Sequence, residues 1–323
     1  MPQNVILTIT DEFHNKRLDA ALGGLIDTHS RSTLREYIDE GKVAVDGVVI
    51  TKPSIKVSSG QIVSVTIPDP EDLDAKPQDL PLDIIYQDDD ILIINKPINF
   101  VVHPGAGIKD GTVMNAVLYH FPQTSSLPRA GIVHRLDKDT SGLMVIALSQ
   151  LAQQVLTKAI AKHDVVREYE AIAEGQITAG GTIDAPIGRD PHIRTKMAVM
   201  PEGIGREAVT HYRVMERFRA HTRLRLRLET GRTHQIRVHM ASIHHPLLGD
   251  NQYGGKRLKM LPGADEDLAN MLRNYRHQAL HAVHIEFAHP KTKENMSFDV
   301  PIPEEMSELI ELLRKDYKEH GDF

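Results

Sequence analysis

Between Ile67 and Pro77 the chain reads Ile-Pro-Asp-Pro-Glu-Asp-Leu-Asp-Ala-Lys-Pro. Proline fixes φ and removes a backbone donor, and no apolar period runs through the acids, so neither helix nor sheet can continue across this stretch. The break predicts an acidic linker over residues 69–80. It leaves a small N-terminal domain over 1–68 and a large domain over 81–323. A chain of 323 residues is long enough to give both a core.

In the small domain, Thr33 and Glu36 have the spacing of a capping box before Leu34–Ile38, and Gly41 is a suitable stop. Asp46-Gly47 between two β-branched runs predicts a hairpin, and Gln61–Ile67 a further strand. In the large domain, Asp83–Tyr86 and Ile91–Ile94 read as a hairpin. Ile132–His134 and Leu143–Leu148 read as a pair around a polar loop. Leu151, Ala152, Val155, Leu156, Ala159 and Ile160 follow a helical period. Val165–Ala173 and Thr222–Thr230 read as strands, and Met306, Leu309, Ile310, Leu313 and Tyr317 as a C-terminal helix. Strands in runs with few helices predict an α+β fold with a mainly antiparallel sheet.

The net charge of −6 argues against a nucleic-acid partner, but its distribution does not. Nine acids between Asp69 and Asp90 face only Lys76, whereas eight arginines and four histidines between His211 and Met240 face only Glu216 and Glu229. This predicts a basic face, which an RNA ligand or plain solvent would fit equally. In Arg223–Leu228, Arg and Leu alternate, so the leucines bury and the arginines form a row. That row is expected to meet phosphates or to support a site electrostatically, unless it is an ordinary solvated sheet face. The chain has no cysteine, which excludes disulfides and thiolate chemistry and fits a reducing cytosol. No apolar run is long enough to span a membrane, and the N-terminus lacks a basic segment before a long apolar block. A cytoplasmic location without membrane contact is therefore expected. His234, His239, His244 and His245 lack the carboxylate placement of known zinc patterns, so no metal is expected. His277, His281 and His284 are assigned to packing or RNA contact.

The segment Arg129–Leu143 packs Arg135, Asp137, Lys138 and Asp139 into one loop between apolar runs. By charge alone it is a surface turn with ion pairs worth under about 1 kcal/mol each. Its core, His-Arg-Leu-Asp-Lys-Asp-Thr-Ser-Gly, resembles the signature of the RluA/RluD family of pseudouridine synthases. Asn95-Lys96-Pro97, Val101–Gly105, Arg167–Ala171, Thr230–His239, His245–Asp250 and Tyr253–Gly255 match further family motifs in order. Arg17-Leu18-Asp19, Ser30-Arg31-Ser32, Gly41-Lys42-Val43 and Val45-Asp46-Gly47 resemble an S4 domain, an RNA-binding module of α-L type.

The resemblance implies a pseudouridine synthase fold behind an S4 domain. It implies isomerisation of uridine in large-subunit ribosomal RNA or its assembly intermediate, with the helix 69 stem-loop as target. Asp137 is then the catalytic carboxylate, Tyr169 lies against the uracil, and Arg232 pairs with Asp137 to fix its direction. Arg135 enters the RNA helix to displace the target, because an enzyme acting on a base must take it out of the stack. His134, Lys138, His234, Arg237, Arg17, Arg31 and Lys42 are the expected RNA ligands. Breaking N1–C1′ and joining C5 to C1′ needs neither redox nor energy input, so no cofactor is expected. Asp137 can add to C6, attack C1′ or take a proton from C2′; the sequence favours none. A monomer is expected. Action on other ribosomal or transfer RNA uridines, a non-catalytic assembly factor and an RNA glycosidase are the competing readings.

Overall fold

The computed structural model describes residues 3–26, 31–67, 75–105, 108–193, 195–254 and 261–321, without the side chains of Gln3, Ser32, Thr33 and Ile67. It divides into two compact units, Met1–Asp74 and Ala75–Phe323.

The first unit runs β1 (Gln3–Thr8), α1 (Leu18–Leu25), α2 (Arg31–Asp39), β2 (Val43–Val45), β3 (Val48–Ile50) and β4 (Ile62–Ile67). Its antiparallel sheet has the order β1-β4-β2-β3. Asp46 and Gly47 both take positive φ, as the tight hairpin turn requires. Leu18, Leu22, Leu34 and Ile38 from the helices bury against Val43, Val63 and Val65. Thr33 lies inside α2 and its side chain is outside the described residues, as are Ser30 and the acids Asp69–Asp74.

The second unit opens with β5 (Ile84–Gln87), β6 (Ile91–Lys96), α3 (Val113–His120), β7 (Ser141–Ala147), α4 (Gln150–Ala161) and β8 (Val166–Glu174). It continues through β9 (Gly181–Asp184), β10 (Ile187–Arg189), β11 (Met197–Val199), β12 (Val209–Arg217), β13 (His221–Leu228) and α5 (Gln235–Ser242). It ends with α6 (Glu266–Asn274), β14 (Leu280–Ala288), β15 (Asn295–Asp299) and α7 (Glu304–His320). One sheet has the order β5-β6-β7-β14-β8-β13-β12-β9, with β15 on β14; within it β7 and β14 run parallel and the other pairs antiparallel. The α+β class with a mainly antiparallel mixed sheet is thus present. Lys76 and Gln78, inside the stretch expected as linker, are bonded to Asn115 of α3.

Both faces of this sheet are covered, which explains the unbroken apolar runs in β6 and β7. Leu92, Ile94, Met144 and Ile146 bury in one core with Tyr169, Leu224 and Leu226. Ile91, Ile93, Leu143 and Val145 bury in another, under Leu156 of α4. The expected strand Ile132–His134 is reduced to a single bridge, Ile132 to Ile146. The chain enters it through a tight turn in which Arg129, Ala130 and Gly131 all have positive φ. Shortly after Gly231, α5 begins at Gln235 and carries Arg237.

Candidate active site

The polar loop leading into β7 is held from behind. Lys96, with no exposed surface, donates from Nζ to the carbonyls of Pro97, Phe100 and Lys138 at 2.8, 2.9 and 3.0 Å. Burial pulls its pKa down to about 7, against the charges of Asp139 and Asp137. Gln278 donates to Thr140 Oγ1 at 3.0 Å, and Ser141 Oγ meets His281 Nδ1 at 2.7 Å. The backbone amide of Val145 donates to His134 Nε2 at 3.1 Å, so this imidazole is neutral there with its proton on Nδ1. Burial, with help from Arg167, pushes its pKa down to about 3.

Asp137 projects from this loop into a cavity of about 450 Å³, which also takes in His134, Arg135, Arg167, Tyr169 and His234. Its partner is Arg237, which donates from Nη1 to Asp137 Oδ2 at 3.0 Å. Arg232, the partner expected from the resemblance, instead donates from Nε to the carbonyl of Glu207 at 2.8 Å, on the rim of the same cavity. The correction is a matter of helix geometry. Residue 237 lies within α5, from which its side chain reaches Asp137, whereas Arg232 precedes the helix. Arg237 is in turn clamped by Asp250, from Nε at 2.7 Å and Nη2 at 2.9 Å. Asp250 also accepts from the backbone amides of Gln252 and Tyr253. Burial opposes the Arg237 charge, but Asp250 and then Asp137 outweigh it and raise its pKa. Asp250 is pushed up by burial and pulled down further by Arg237, for a net fall. Its only signal in the sequence is its place at the end of the His245–Asp250 motif.

His234 sits at the start of α5 in the left-handed region, with φ 56°. Its Nδ1 meets the Tyr253 hydroxyl at 2.8 Å, and its Nε2 lies 3.9 Å from Asp137 Oδ1. The Tyr253 oxygen also accepts from the Met197 amide, and with its own proton on His234 Nδ1 the imidazole turns Nε2–H towards Asp137. Burial lowers the His234 pKa, aided by Arg237 and Arg135 and opposed by Asp137. Tyr169 stands on β8, buried to 5% exposure, where burial raises its pKa and keeps the phenol protonated. Arg135 and Lys138 are exposed.

The run from His211 to Met240 does not make one basic face. Arg223 pairs with Glu170 at 2.6 Å, Arg225 with Glu168 at 2.6 Å, and Arg219 with Asp316 of α7 at 2.6 Å. Arg223 and Arg225 lie on the sheet face opposite Leu224, Leu226 and Tyr169, so this part of the expected phosphate row is a half-buried charge layer beneath α7, while Arg227 at its end is exposed. His239 is spent on Thr210 and the Ala185 carbonyl, and among the described residues no cluster of three or more His, Asp or Glu side chains is disposed to hold a metal. In the first unit, Arg17 and Arg31 converge on buried Asp19, each at 3.0 Å, and stay about half exposed. Lys42 pairs with Glu40 at 2.6 Å.

No helix among the described residues is long and apolar enough to cross a membrane. A sequence model of the family described as RNA pseudouridylate synthase matches residues 90–242, and one of the S4 domain matches residues 29–63. The ribosomal large subunit pseudouridine synthase D of Vibrio vulnificus (strain CMCP6) is 56% identical over 99% of this chain and 98% of its own. That of Escherichia coli (strain K12) is 52% identical over 100% and 98%. The structure of human RNA pseudouridylate synthase domain containing 4 shares the fold at TM-score 0.56 and 24% identity, over 72% of this chain and 92% of that one. With relatives more than half identical along its whole length, the chain belongs to the RluA/RluD family of RNA pseudouridine synthases and is an isomerase.

Proposed function

We propose that this enzyme acts on uridines of large-subunit ribosomal RNA, chiefly in the helix 69 stem-loop, with Asp137 as its catalytic carboxylate. The observation that carries the reading is the Asp137–Arg237–Asp250 chain opening on a cavity shared with Tyr169. A carboxylate whose direction is fixed by a doubly anchored guanidinium is ready to add to uracil C6, to attack C1′ or to take a proton from C2′. Tyr169, a neutral phenol, offers the uracil a face to stack on and a hydroxyl for proton transfer at C5. Arg135, exposed on the loop, enters the RNA to displace the target uridine, while Lys138, the half-exposed Arg17 and Arg31, and Lys42 hold phosphates. The relatives named for the large ribosomal subunit and the S4 domain support the substrate. The enzyme works as a cytoplasmic monomer without a cofactor.

The test is pseudouridine mapping by carbodiimide labelling on a helix 69 stem-loop and on whole ribosomal RNA, for wild type and Asp137→Asn. Pseudouridine in the stem-loop with wild type alone is expected. Modification elsewhere overturns the target, and free uracil overturns the chemistry. RNA binding without modification points to an assembly factor.

A further inference from the structure

Arg167 is buried to 5% exposure and lines the cavity beside Tyr169, two residues away on the same face of β8. Its Nη2 donates to the Glu229 carbonyl at 3.0 Å, while its Nε is buried with no hydrogen-bond partner. Every other deeply buried guanidinium of the site region is matched by a carboxylate: Arg237 has Asp250 and Asp137. Among the described residues Arg167 has none within ion-pair distance. Room for it is kept by Gly231, where a Cβ would stand 2.8 Å from Nη1. A buried cation without a counter-ion is costly, and a site that retains one is built for an anion that arrives later.

We propose that Arg167 stabilises the negative charge on the uracil ring while it is detached from the ribose. The idea rests on the isomerase reading above. When N1–C1′ breaks by attack of Asp137 on C1′, a bond from the carboxylate oxygen to C1′ forms and the N1–C1′ electron pair leaves with the base. When Asp137 instead takes the C2′ proton, the C2′–H pair forms a C1′–C2′ double bond and the base again leaves with its pair. The detached uracil is a monoanion, its charge spread over N1, O2 and O4. The ring turns and C5 bonds to C1′, as the Asp137–C1′ bond breaks on the first route or as C2′ takes its proton back from Asp137 on the second; the C5 proton is then lost and N1 gains one, so the sequence is redox-neutral. The charge exists only between the two bonds, so an interaction with it raises the rate without tightening binding.

The experiment measures single-turnover rate constants and equilibrium binding on one stem-loop RNA that wild type modifies, for wild type, Arg167→Gln and Arg167→Lys. Glutamine can still donate to the Glu229 carbonyl. The expected result is a rate about 100-fold lower for Arg167→Gln, a dissociation constant within about 3-fold of wild type, and partial rescue by Arg167→Lys. An unchanged rate overturns the proposal. So does weaker binding with a reduced salt dependence and a normal rate at saturation, which would make Arg167 a phosphate contact. Thermal unfolding accompanies each variant. If Arg167→Gln does not fold, Gly231→Ala displaces the guanidinium, and a rate unaffected by that change overturns the idea equally. Wild type inactive on every RNA tried would instead be a failure of the isomerase reading on these substrates.

Discussion

One guanidinium joins two carboxylates: Arg237 reaches Asp137 at 3.0 Å with Nη1 while Nε and Nη2 grip Asp250 at 2.7 and 2.9 Å. Lysine has a point charge and cannot bridge both. Arg237→Lys is expected to lower kcat by at least about 100-fold with little change in KM, because orientation of Asp137 is lost. Asp250→Asn should follow it, and Arg232→Lys should cost under about 10-fold. Steady-state kinetics on the modified RNA decide; a larger loss at Arg232 than at Arg237 would restore the pairing expected from the sequence.

His134 makes stability depend on acid. Its pKa is about 3 in the fold against 6.5 for an ordinary histidine, because enclosure by the protein and then the Arg167 charge disfavour the proton; protonation on Nε2 would also break the bond from the Val145 amide. Above pH 6.5 both folded and unfolded forms are neutral and the contribution is whole. As pH falls from 6.5 towards 3 the unfolded chain takes up the proton first, and up to about 4 kcal/mol is lost. NMR should show no titration of this imidazole above pH 4. His134→Gln, which can still accept from Val145, should flatten the stability curve in that window.

What the sequence made legible was local. Asp46-Gly47 fixes its own hairpin, and the Leu151–Ile160 period fixes α4, since neighbours in sequence supply the whole signal. Helix α5 was hidden because Gln235 to Met240 are all buried, so no polar face marks a helical period and Ile236, Val238 and Met240 alternate like a strand. Its start, a left-handed His234, is no capping residue either. The pairing of Asp137 with Arg232 came from the resemblance, and no local pattern around Arg237 marks it as the partner instead. The basic run misled for another reason. Composition counts charges without their partners, and Glu168 and Glu170 face Arg223 and Arg225 only through the β8–β13 register. Their alternation around Tyr169 was the available clue.

The arginine layer should hold the fold and not the RNA. Arg223→Met leaves Glu170, 8% exposed, with only Arg225 at 3.3 Å. A loss of about 2 kcal/mol is expected, seen as a lower urea midpoint. RNA affinity and the slope of its salt dependence should not move, since no phosphate contact is removed. A reduced slope would show that the row does meet phosphates.

Lys96 should matter to activity without touching substrate. Lys96→Met fills the same space but removes the donor shared by the carbonyls of Pro97, Phe100 and Lys138, of which Lys138 keeps only the Phe100 amide. Losing three bonds from a buried ammonium implies a loss of about 3 kcal/mol. The Lys138 carbonyl, then held by the Phe100 amide alone, lies one residue from Asp137, so kcat should fall while RNA binding holds. Denaturant unfolding and single-turnover kinetics check both halves.

Gly142 joins the loop to the sheet, and its conformation leaves no room for a side chain. Its φ is +113°, and a Cβ would stand 2.2 Å from the Ala282 carbonyl oxygen and 2.5 Å from the Ala282 amide nitrogen. Those are backbone atoms of β14 at the only parallel pairing in this sheet, His281 to Ser141 and Ala282 to Gly142. Neither can yield as a flexible side chain would. Gly142→Ala must therefore part β7 from β14, moving Ser141 off His281 and the loop off Gln278. A loss of at least about 3 kcal/mol is expected, from strain and lost pairing together. Gly47→Ala meets positive φ but nothing within 4 Å, so it should cost only about 1 kcal/mol. Comparing the two by thermal unfolding separates close approach from conformational strain; equal losses would mean that the contact with β14 is relieved at little cost.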